Sequence, residues 1–323
     1  MRELILNALR QEQYISGERL GKRLHISRTA VWKHINELRK DGYKISSSPQ
    51  SGYSLIESTD RLLPEEIMTG LEARIMGRRI LHYTEVTSTQ DIAAEFARNG
   101  ALEGTAVIAE TQTKGRGRKG RGWVSPTEGG IYISIILRPN LKPFQIIQIP
   151  LIAGIAVCKA IQKATAVRPK IKWPNDILVE GKKVAGILTE ISSEVDAVNY
   201  VVLGIGVNVN TDKSIMVKIQ GGMANSLSGV CGKTISRVKL VQFFLNEFES
   251  AYTIFLVDGF HSLRRDWKKL NTTIGSEIII RDGGEEIEGT AFDINEDGFL
   301  LLRTKNGEVK RIVSGDVLPG NRI

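Results

Sequence analysis

The sequence predicts an α+β protein in three parts: an N-terminal helix-turn-helix with a β-hairpin wing, a central domain of long helices beside a mixed, largely antiparallel sheet, and a small C-terminal β-barrel. Three observations carry that reading. Residues 1 to about 60 hold three short helical patterns followed by a hairpin pattern. Residues 65–270 mix strands and long helices without the strict alternation of a parallel α/β fold. From Ile274 onward, short alternating strands are punctuated by Asp282-Gly283-Gly284, Asp297-Gly298 and Asn306-Gly307. The expected domains are therefore 1–60, 65–270 and 271–323.

In the first part Leu4, Ile5, Ala8 and Leu9 form one helical stripe. Ser16 is placed to cap a second helix through Leu24, and Ser27 opens a third that runs to Lys40 and ends at Gly42. Two short helices joined by so tight a turn predict a helix-turn-helix, and Tyr43-Lys44-Ile45 with Tyr53-Ser54-Leu55 predict the wing around a Ser-Ser-Pro-Gln-Ser-Gly turn. On the third helix Val31, Ile35 and Leu38 share one face, leaving Arg28, Thr29, Trp32, Lys33 and Asn36 on the other, where a recognition helix meets a major groove. An oligomerisation module would use the same three helices. The grouping of basic, amide and hydroxyl side chains near the start of the third helix favours DNA.

Glu57–Glu66 reads as a linker leading into the next part. Beyond it, strands are expected at 80–83, 105–109, 131–137, 171–173, 184–191 and 200–209, and helices at 89–98, 146–164 and 238–255. No internal repeat or low-complexity tract is present.

The bounds are those of a soluble globular protein: 41% apolar residues, 25% charged, and a net charge of +8 that permits anionic partners. Cys158 and Cys231 are too few for a disulfide framework, and Met1–Asn7 lacks a signal-peptide pattern. The apolar run Ile149–Cys158 is too short to span a bilayer. A cytoplasmic protein is expected.

Chemistry concentrates in a few stretches. Lys114–Trp123 carries five basic residues, four glycines and no acid. Gly115, Gly117 and Gly120 fit a dinucleotide fingerprint, but a second strand-like run follows instead of a helix N-terminus, so the fingerprint fails. The stretch reads better as a loop whose glycines let the backbone approach a ligand while Arg116 and Arg118 offer planar forks to phosphate. Repulsion among its cations predicts disorder when it is empty. A solvated basic loop would have the same composition.

Lys172-Trp173-Pro174-Asn175-Asp176 puts a cation, an amide and a carboxylate at a proline-shaped corner, either an ordinary turn or a way of pointing Asn175 and Asp176 into one pocket. Asp176 is the hard oxygen ligand that magnesium prefers. Lys183 is either a surface charge or one aimed into a site. Glycines inside the strand pattern 204–210 mark close approach of a ligand or another chain segment, and Ser88-Thr89 stands at a helix start as an N-cap, a ligand contact or both. The four histidines are too dispersed for a metal cluster.

Taken together, Ser88-Thr89, Gln112, Gly115-Arg116-Gly117-Arg118, Lys172–Asp176 and Lys183–Gly186 occur in an order that resembles the biotin protein ligases, specifically the bifunctional kind that is also the biotin operon repressor. The resemblance covers almost the whole chain. It implies a class II aminoacyl-tRNA-synthetase-like core, an SH3-like C-terminal barrel, activation of biotin with ATP and Mg2+ to biotinyl-5'-AMP, and transfer to a lysine of a biotin carboxyl carrier protein.

Carried over residue by residue, Ser88, Thr89, Gln112, Gly115, Arg116, Gly117 and Gly186 match biotin-contacting positions. Arg118 and Lys183 match catalytic positions that touch both biotin and the reacting phosphate. Trp123, Lys172, Asn175 and Asn208 match the nucleotide side, with Trp123 as a lid over the adenine, and Asp176 matches the magnesium ligand. Where some members of the family place a tryptophan on a second, adenine-covering loop, this chain has Met223-Ala224-Asn225-Ser226. Operator DNA is the implied second partner, and a ligand-promoted homodimer is expected because one small winged helix offers few base contacts. The rivals are a lipoate or octanoate ligase, a transcription factor that only senses an effector, and a ligase whose N-terminal module does not regulate transcription.

Overall fold

The computed structural model describes the chain except residues 49, 196, 220–222, 283 and 321–323, so Pro49 and Gly283, both read as hairpin-turn residues, lie outside the described residues. Two compact units are present, Met1–Thr69 and Gly70–Ile323.

The first unit runs α1 (Arg2–Gln11), α2 (Gly17–Leu24), α3 (Arg28–Lys40), β1 (Lys44–Ser48), β2 (Gly52–Glu57) and α4 (Pro64–Met68). Ser16 Oγ accepts from the Arg19 amide and Ser27 Oγ from the Ala30 amide, each at 3.1 Å, so both predicted caps satisfy a helix-start donor. Between α2 and α3 the chain turns through His25 in the left-handed region, φ 53°. The turn is tight because Gly21 lacks a side chain: a Cβ there would lie 2.7 Å from the Ile26 carbonyl oxygen. Gly21→Ala should therefore cost this unit about 1–3 kcal/mol by overpacking. Calorimetry of the full chain should show its transition fall by roughly 4–8 °C per kcal/mol, and an unmoved transition would mean that the turn has room for a methyl.

Val31, Ile35 and Leu38 are fully buried against Ile5, Leu6, Leu9 and Leu20, as the helical spacing predicts. One residue of the predicted stripe is misplaced: Leu4 is 51% exposed, and Leu6, a turn before Leu9 and Arg10, takes the core position. The stretch read as a linker is also not one. Leu62, Leu63 and Ile67 are buried, and the Tyr43 hydroxyl donates to Glu66 at 2.6 Å while Arg10 pairs with the same carboxylate, so α4 is built into the first unit and the unit extends to Thr69.

The second unit contains β3 (Ile80–Val86), α5 (Thr89–Arg98), β4 (Ala106–Gln112), β5 (Gly130–Leu137), α6 (Ile149–Ala164), β6 (Lys170–Lys172), β7 (Asp176–Val179), β8 (Lys182–Ser193), β9 (Val198–Asn208), α7 (Lys213–Lys218), α8 (Leu227–Cys231), α9 (Arg237–Asp258) and α10 (His261–Leu270). Its seven-stranded sheet has the order β3-β4-β5-β9-β8-β7-β6. Only β3 and β4 are parallel, so the sheet is mixed and largely antiparallel as expected.

All eight residues of β5 are buried, because helices cover both faces of the sheet there. Val107, Ile136 and Val202 face α5 through Ala93 and Ala97, while Ile131, Ile205 and Val207, of opposite parity, face α6 and α9. The segment Pro143–Ala164 is longer than the ten-residue run read from the sequence and is apolar enough to cross a membrane by length and composition. It is the core helix of the sheet, with 72% of its apolar window buried. The chain closes with β10 (Glu277–Asp282), β11 (Glu285–Ile294), β12 (Leu300–Thr304), β13 (Val309–Ile312) and β14 (Asp316–Pro319), an antiparallel sheet in the order β13-β12-β11-β10-β14.

Candidate active site and DNA interface

The site grows from a strip of glycines on two paired strands. In β8 and β9, Gly186 stands opposite Gly206 and Leu188 opposite Gly204, which puts the three glycines on one face. A Cβ on Gly206 would lie 2.6 Å from Trp123 Cε2, and one on Gly204 2.7 Å from Gln90 Oε1. The close approach that strand glycines signal is thus made here by an indole and a carboxamide lying directly on the sheet.

Above this floor is a cavity of about 440 Å³. Its walls bring together Ser88, Thr89, Gln112, Arg116, Gly117, Arg118, Trp123, Lys172, Asn175, Asp176, Lys183 and Gly186, residues spread over 99 positions of sequence (88 to 186). Two expected members stand apart from it. Asn208 is buried and its amide donates to the Asn225 carbonyl at 3.2 Å rather than facing the cavity. Gly115 forms the neck of the loop, where a Cβ would be 2.5 Å from the Trp123 carbonyl oxygen.

Ser88 precedes α5 but its side chain makes no capping bond, so the ordinary N-cap reading of this serine does not hold. Gln112, from the end of β4, does that work: its Oε1 accepts from the Thr89 amide at 2.9 Å and the Thr89 hydroxyl at 3.1 Å, while its Nε2 donates to Ser125 at 2.9 Å. Among the described residues, Trp123 Nε1 and Gln90 Oε1 are buried and find no hydrogen-bond partner. A buried donor and acceptor in the wall of one cavity are what a polar heterocycle would satisfy.

The cations are held in different ways. Lys183, at the start of β8, lies with its Nζ 2.7 Å from Asp176 Oδ1 and 5.4 Å from the Trp123 ring centroid. Its backbone is fixed on both sides, the amide donating to Met223 and the carbonyl accepting from Asn225, each at 2.9 Å. The Met223–Asn225 segment is thereby pinned beside Lys183. Arg118 donates to Asn175 Oδ1 at 3.1 Å, and burial lowers its pKa against the opposing pull of Asp316 and Asp176. Arg116 is the exception to the phosphate reading: Glu190 takes its guanidinium at 2.9 and 2.8 Å and Asp91 at 2.6 Å. Glu190 foremost raises its pKa, so this arginine anchors the loop to β8 and α5 with little left to offer an anion.

The basic loop carries hydrogen bonds of its own, Gly117 donating to the Arg121 carbonyl at 2.7 Å and Trp123 to the Gly115 carbonyl at 2.8 Å. The repulsion among its cations is offset by acids on other elements, Asp91 and Glu190 for Arg116 and Asp282 and Asp316 for Lys119 and Arg121. Glu190 was detectable in the sequence, since it shares the parity of Gly186 and Leu188 in β8. Asp316 was not, because nothing local marks a partner 195 residues from Arg121.

No group of three or more His, Cys, Asp or Glu side chains that could hold a metal occurs among the described residues. The donor set at Asp176 is a single carboxylate already beside Lys183. Such a site suits magnesium carried in on phosphates, which needs only one or two protein carboxylates.

On the first unit, α3 exposes Arg28, Thr29, Trp32 and Lys33, with Trp32 58% exposed, and Asn36 is half-buried and accepts from Arg39 at 3.2 Å. Arg39 in turn donates to the Ile45 carbonyl at 3.0 and 2.9 Å, tying this helix to the wing.

Comparison with known proteins gives matches along the chain. The Biotin/lipoate A/B protein ligase family matches residues 81–208, an HTH domain residues 2–54, and the Biotin protein ligase C terminal domain residues 273–318. The chain is 40% identical over 305 residues to the bifunctional ligase/repressor BirA of Bacillus subtilis, covering 94% of each protein. To the bifunctional ligase/repressor BirA of Escherichia coli it is 31% identical over 317 residues, 97% of this chain and 95% of that one. The solved biotin protein ligase of Aquifex aeolicus in complex with biotin and ATP superposes with a TM-score of 0.63 at 30% identity, covering 75% of this chain and 98% of that one.

Proposed function

The chain belongs to the bifunctional biotin ligase/repressor family, and from that premise we propose which of its residues do the work. It is an ATP-dependent, AMP-forming biotin–protein ligase and a transcriptional repressor. The observation that carries the residue assignment is the single cavity in which Lys183, Arg118, Lys172 and Asn175 converge with Ser88, Thr89 and Gln112 above a glycine floor.

In the first step a biotin carboxylate oxygen attacks the α-phosphorus of ATP, the P–O bond to the β-phosphate breaks, and pyrophosphate leaves. Two anions meet, so positioning and charge stabilisation provide the catalysis. Lys183 lies between them, oriented by Asp176, and Arg118 covers the phosphate from the loop. Lys172 and Asn175 hold the nucleotide side. The polar groups of Ser88, Thr89 and Gln112, with the Gln90 Oε1 that no described residue satisfies, receive the biotin ring, while Trp123, read from the sequence as a lid over the adenine, lies here against the glycine floor. Asp176 would hold magnesium, which would supply charge neutralisation there. In the second step the neutral ε-amine of a lysine on a biotin carboxyl carrier protein attacks the acyl carbon, AMP departs, and an amide forms.

Incubation with labelled biotin or labelled lipoate, ATP-Mg2+ and a carrier domain tests this reading. Transfer of biotin label alone is expected, and lipoate transfer without biotin transfer would overturn it.

Arg28, Thr29, Trp32, Lys33 and Asn36 are proposed to contact operator DNA, supported by the exposure of the first four on the face of α3 opposite its buried stripe, with Asn36 half-buried beside them. Arg28→Ala should weaken operator binding by about 1–3 kcal/mol while ligation is unchanged. Anisotropy titrations at two salt concentrations check this, and unaltered affinity would remove Arg28 from the interface. A cytoplasmic, ligand-promoted homodimer completes the proposal.

A further inference from the structure

The chain passes from its first unit to its second without a free linker. Thr69 closes the first unit, its hydroxyl donating to the Glu65 carbonyl at 2.6 Å and accepting from Arg10 at 2.9 Å. Residues 70–77 open the second unit and form neither helix nor strand, yet every backbone amide from Glu72 to Gly77 has a partner outside the segment. Asn246 Oδ1 accepts from Glu72 at 3.1 Å and from Ala73 at 2.8 Å. Glu249 takes the next three: Oε1 accepts from Arg74 at 2.7 Å, and Oε2 from Ile75 at 2.7 Å and Met76 at 2.8 Å. The Gly77 amide goes to the Gly104 carbonyl at 2.9 Å.

Asn246 and Glu249 sit three positions apart on α9, with Gln242 and Leu245 one turn before them, so one stripe of this helix faces the segment. A Cβ on Gly70 would lie 2.9 Å from Gln242 Nε2, and one on Gly77 2.6 Å from Leu245 Cδ1. Leu71, Ala73 and Met76 are buried. Burial by itself would raise the Glu249 carboxyl, but the three amides and the charge of Arg78 hold it below the usual carboxylate range, so it accepts them as a carboxylate. None of these residues lines the ligase cavity.

We propose that Asn246 and Glu249 are positioning residues for operator recognition: by clasping residues 72–76 they fix the point from which the DNA-binding unit is carried, and so set the half-site spacing that a pair of chains accepts. The inference rests on the reading that two copies bind a two-fold-related operator. Tether length is what decides the matter. Released, residues 70–77 would give each copy a flexible tether with a root-mean-square reach of roughly 16 Å. That is close to five base-pair steps of about 3.4 Å, enough to blur any preference for one spacing. Clasped, the segment contributes none of that reach. A looser tether also dilutes the second DNA-binding unit around its half-site, which weakens the paired complex without touching a single base contact.

The test uses the full chain supplied with biotin and ATP-Mg2+. Wild type, the Asn246→Ala/Glu249→Ala variant and Glu247→Gln each select from a pool of duplexes with a random-sequence core. Wild type should enrich paired half-sites at one spacing. The double variant should enrich the same half-sites spread over about three to five base pairs, and should bind the wild-type spacing about tenfold more weakly. Its amides at 72–76 should exchange about ten- to hundredfold faster, the loss expected for hydrogen bonds to a charged acceptor. Its adenylation rate should stay at the wild-type value. Glu247→Gln removes the pair with Lys163 on the same helix and should keep the single spacing. A single unchanged spacing in the double variant, wild-type exchange at 72–76, or equal spreading in Glu247→Gln would each overturn the clasp. Enrichment of unpaired half-sites by the wild type is a different result, since it would refute the paired-operator reading itself.

Discussion

Replacing Lys183 by alanine should slow single-turnover adenylation by about a hundredfold to a thousandfold, the usual effect of deleting one preorganised group that meets developing charge. The melting temperature should barely move. Lys183 Nζ is 2.7 Å from Asp176, but the two side chains are 19% and 26% exposed, so water can solvate the carboxylate left behind and the structural loss stays in the range of part-exposed pairs, about 0–1 kcal/mol. The two effects therefore separate cleanly. Lys183→Arg sharpens the comparison: it keeps the charge but replaces a compact ammonium with a wide planar fork beside the Trp123 ring, and rescue should be partial at best. Rapid-quench measurement of biotinyl-5'-AMP at saturating biotin and ATP decides the matter. An alanine variant with wild-type adenylation would reduce Lys183 to a partner that merely steadies Asp176.

What the sequence revealed follows from the range of the interactions involved. The caps at Ser16 and Ser27 and the spacing of the buried stripe Val31-Ile35-Leu38 are set within a few residues, and periodicity and capping chemistry read them directly. α10 went unread because its charged sequence hides a short apolar face, Leu263 and Trp267, which is meaningful only once it is seen against α6 and α9. β7 went unread because Pro-Asn-Asp has strong turn chemistry, and the turn is real, yet Asp176 is already paired across it with Lys172. The N-terminal boundary fell short for a similar reason: Glu66 looks like a solvated linker acid until Tyr43 and Arg10 are brought to it.

At the site, residue types were legible and their pairings were not. Arg116 and Arg118 are indistinguishable as members of a basic loop, but Glu190 and Asp91 claim the first and leave the second to the cavity. The expectation of a disordered loop rests on the same local view. Counting like charges along the chain captures their mutual repulsion and misses carboxylates that the fold delivers from β8, α5 and the C-terminal sheet.

Operator DNA should be bound about 5- to 150-fold more tightly when biotin and ATP are supplied together than when either is omitted, the span of ordinary allosteric coupling. A single winged helix with the few base contacts that α3 can offer, Arg28, Thr29, Trp32, Lys33 and Asn36 at most, has too little surface for specific binding at physiological salt. Two copies on a two-fold-related site would supply the rest, and on that proposal whatever promotes pairing of the chain promotes repression. A ligand can do this only by binding the paired state better than the single one, and linkage makes the effect reciprocal: operator DNA should tighten adenylate binding by the same factor. The carrier protein acts in the opposite sense, since transfer to its lysine consumes the adenylate and should release the operator. Footprinting across a biotin titration, repeated with carrier domain added, measures all three terms. A footprint that ignores biotin would leave a ligase with a DNA-binding unit whose occupancy is set by something other than its own product.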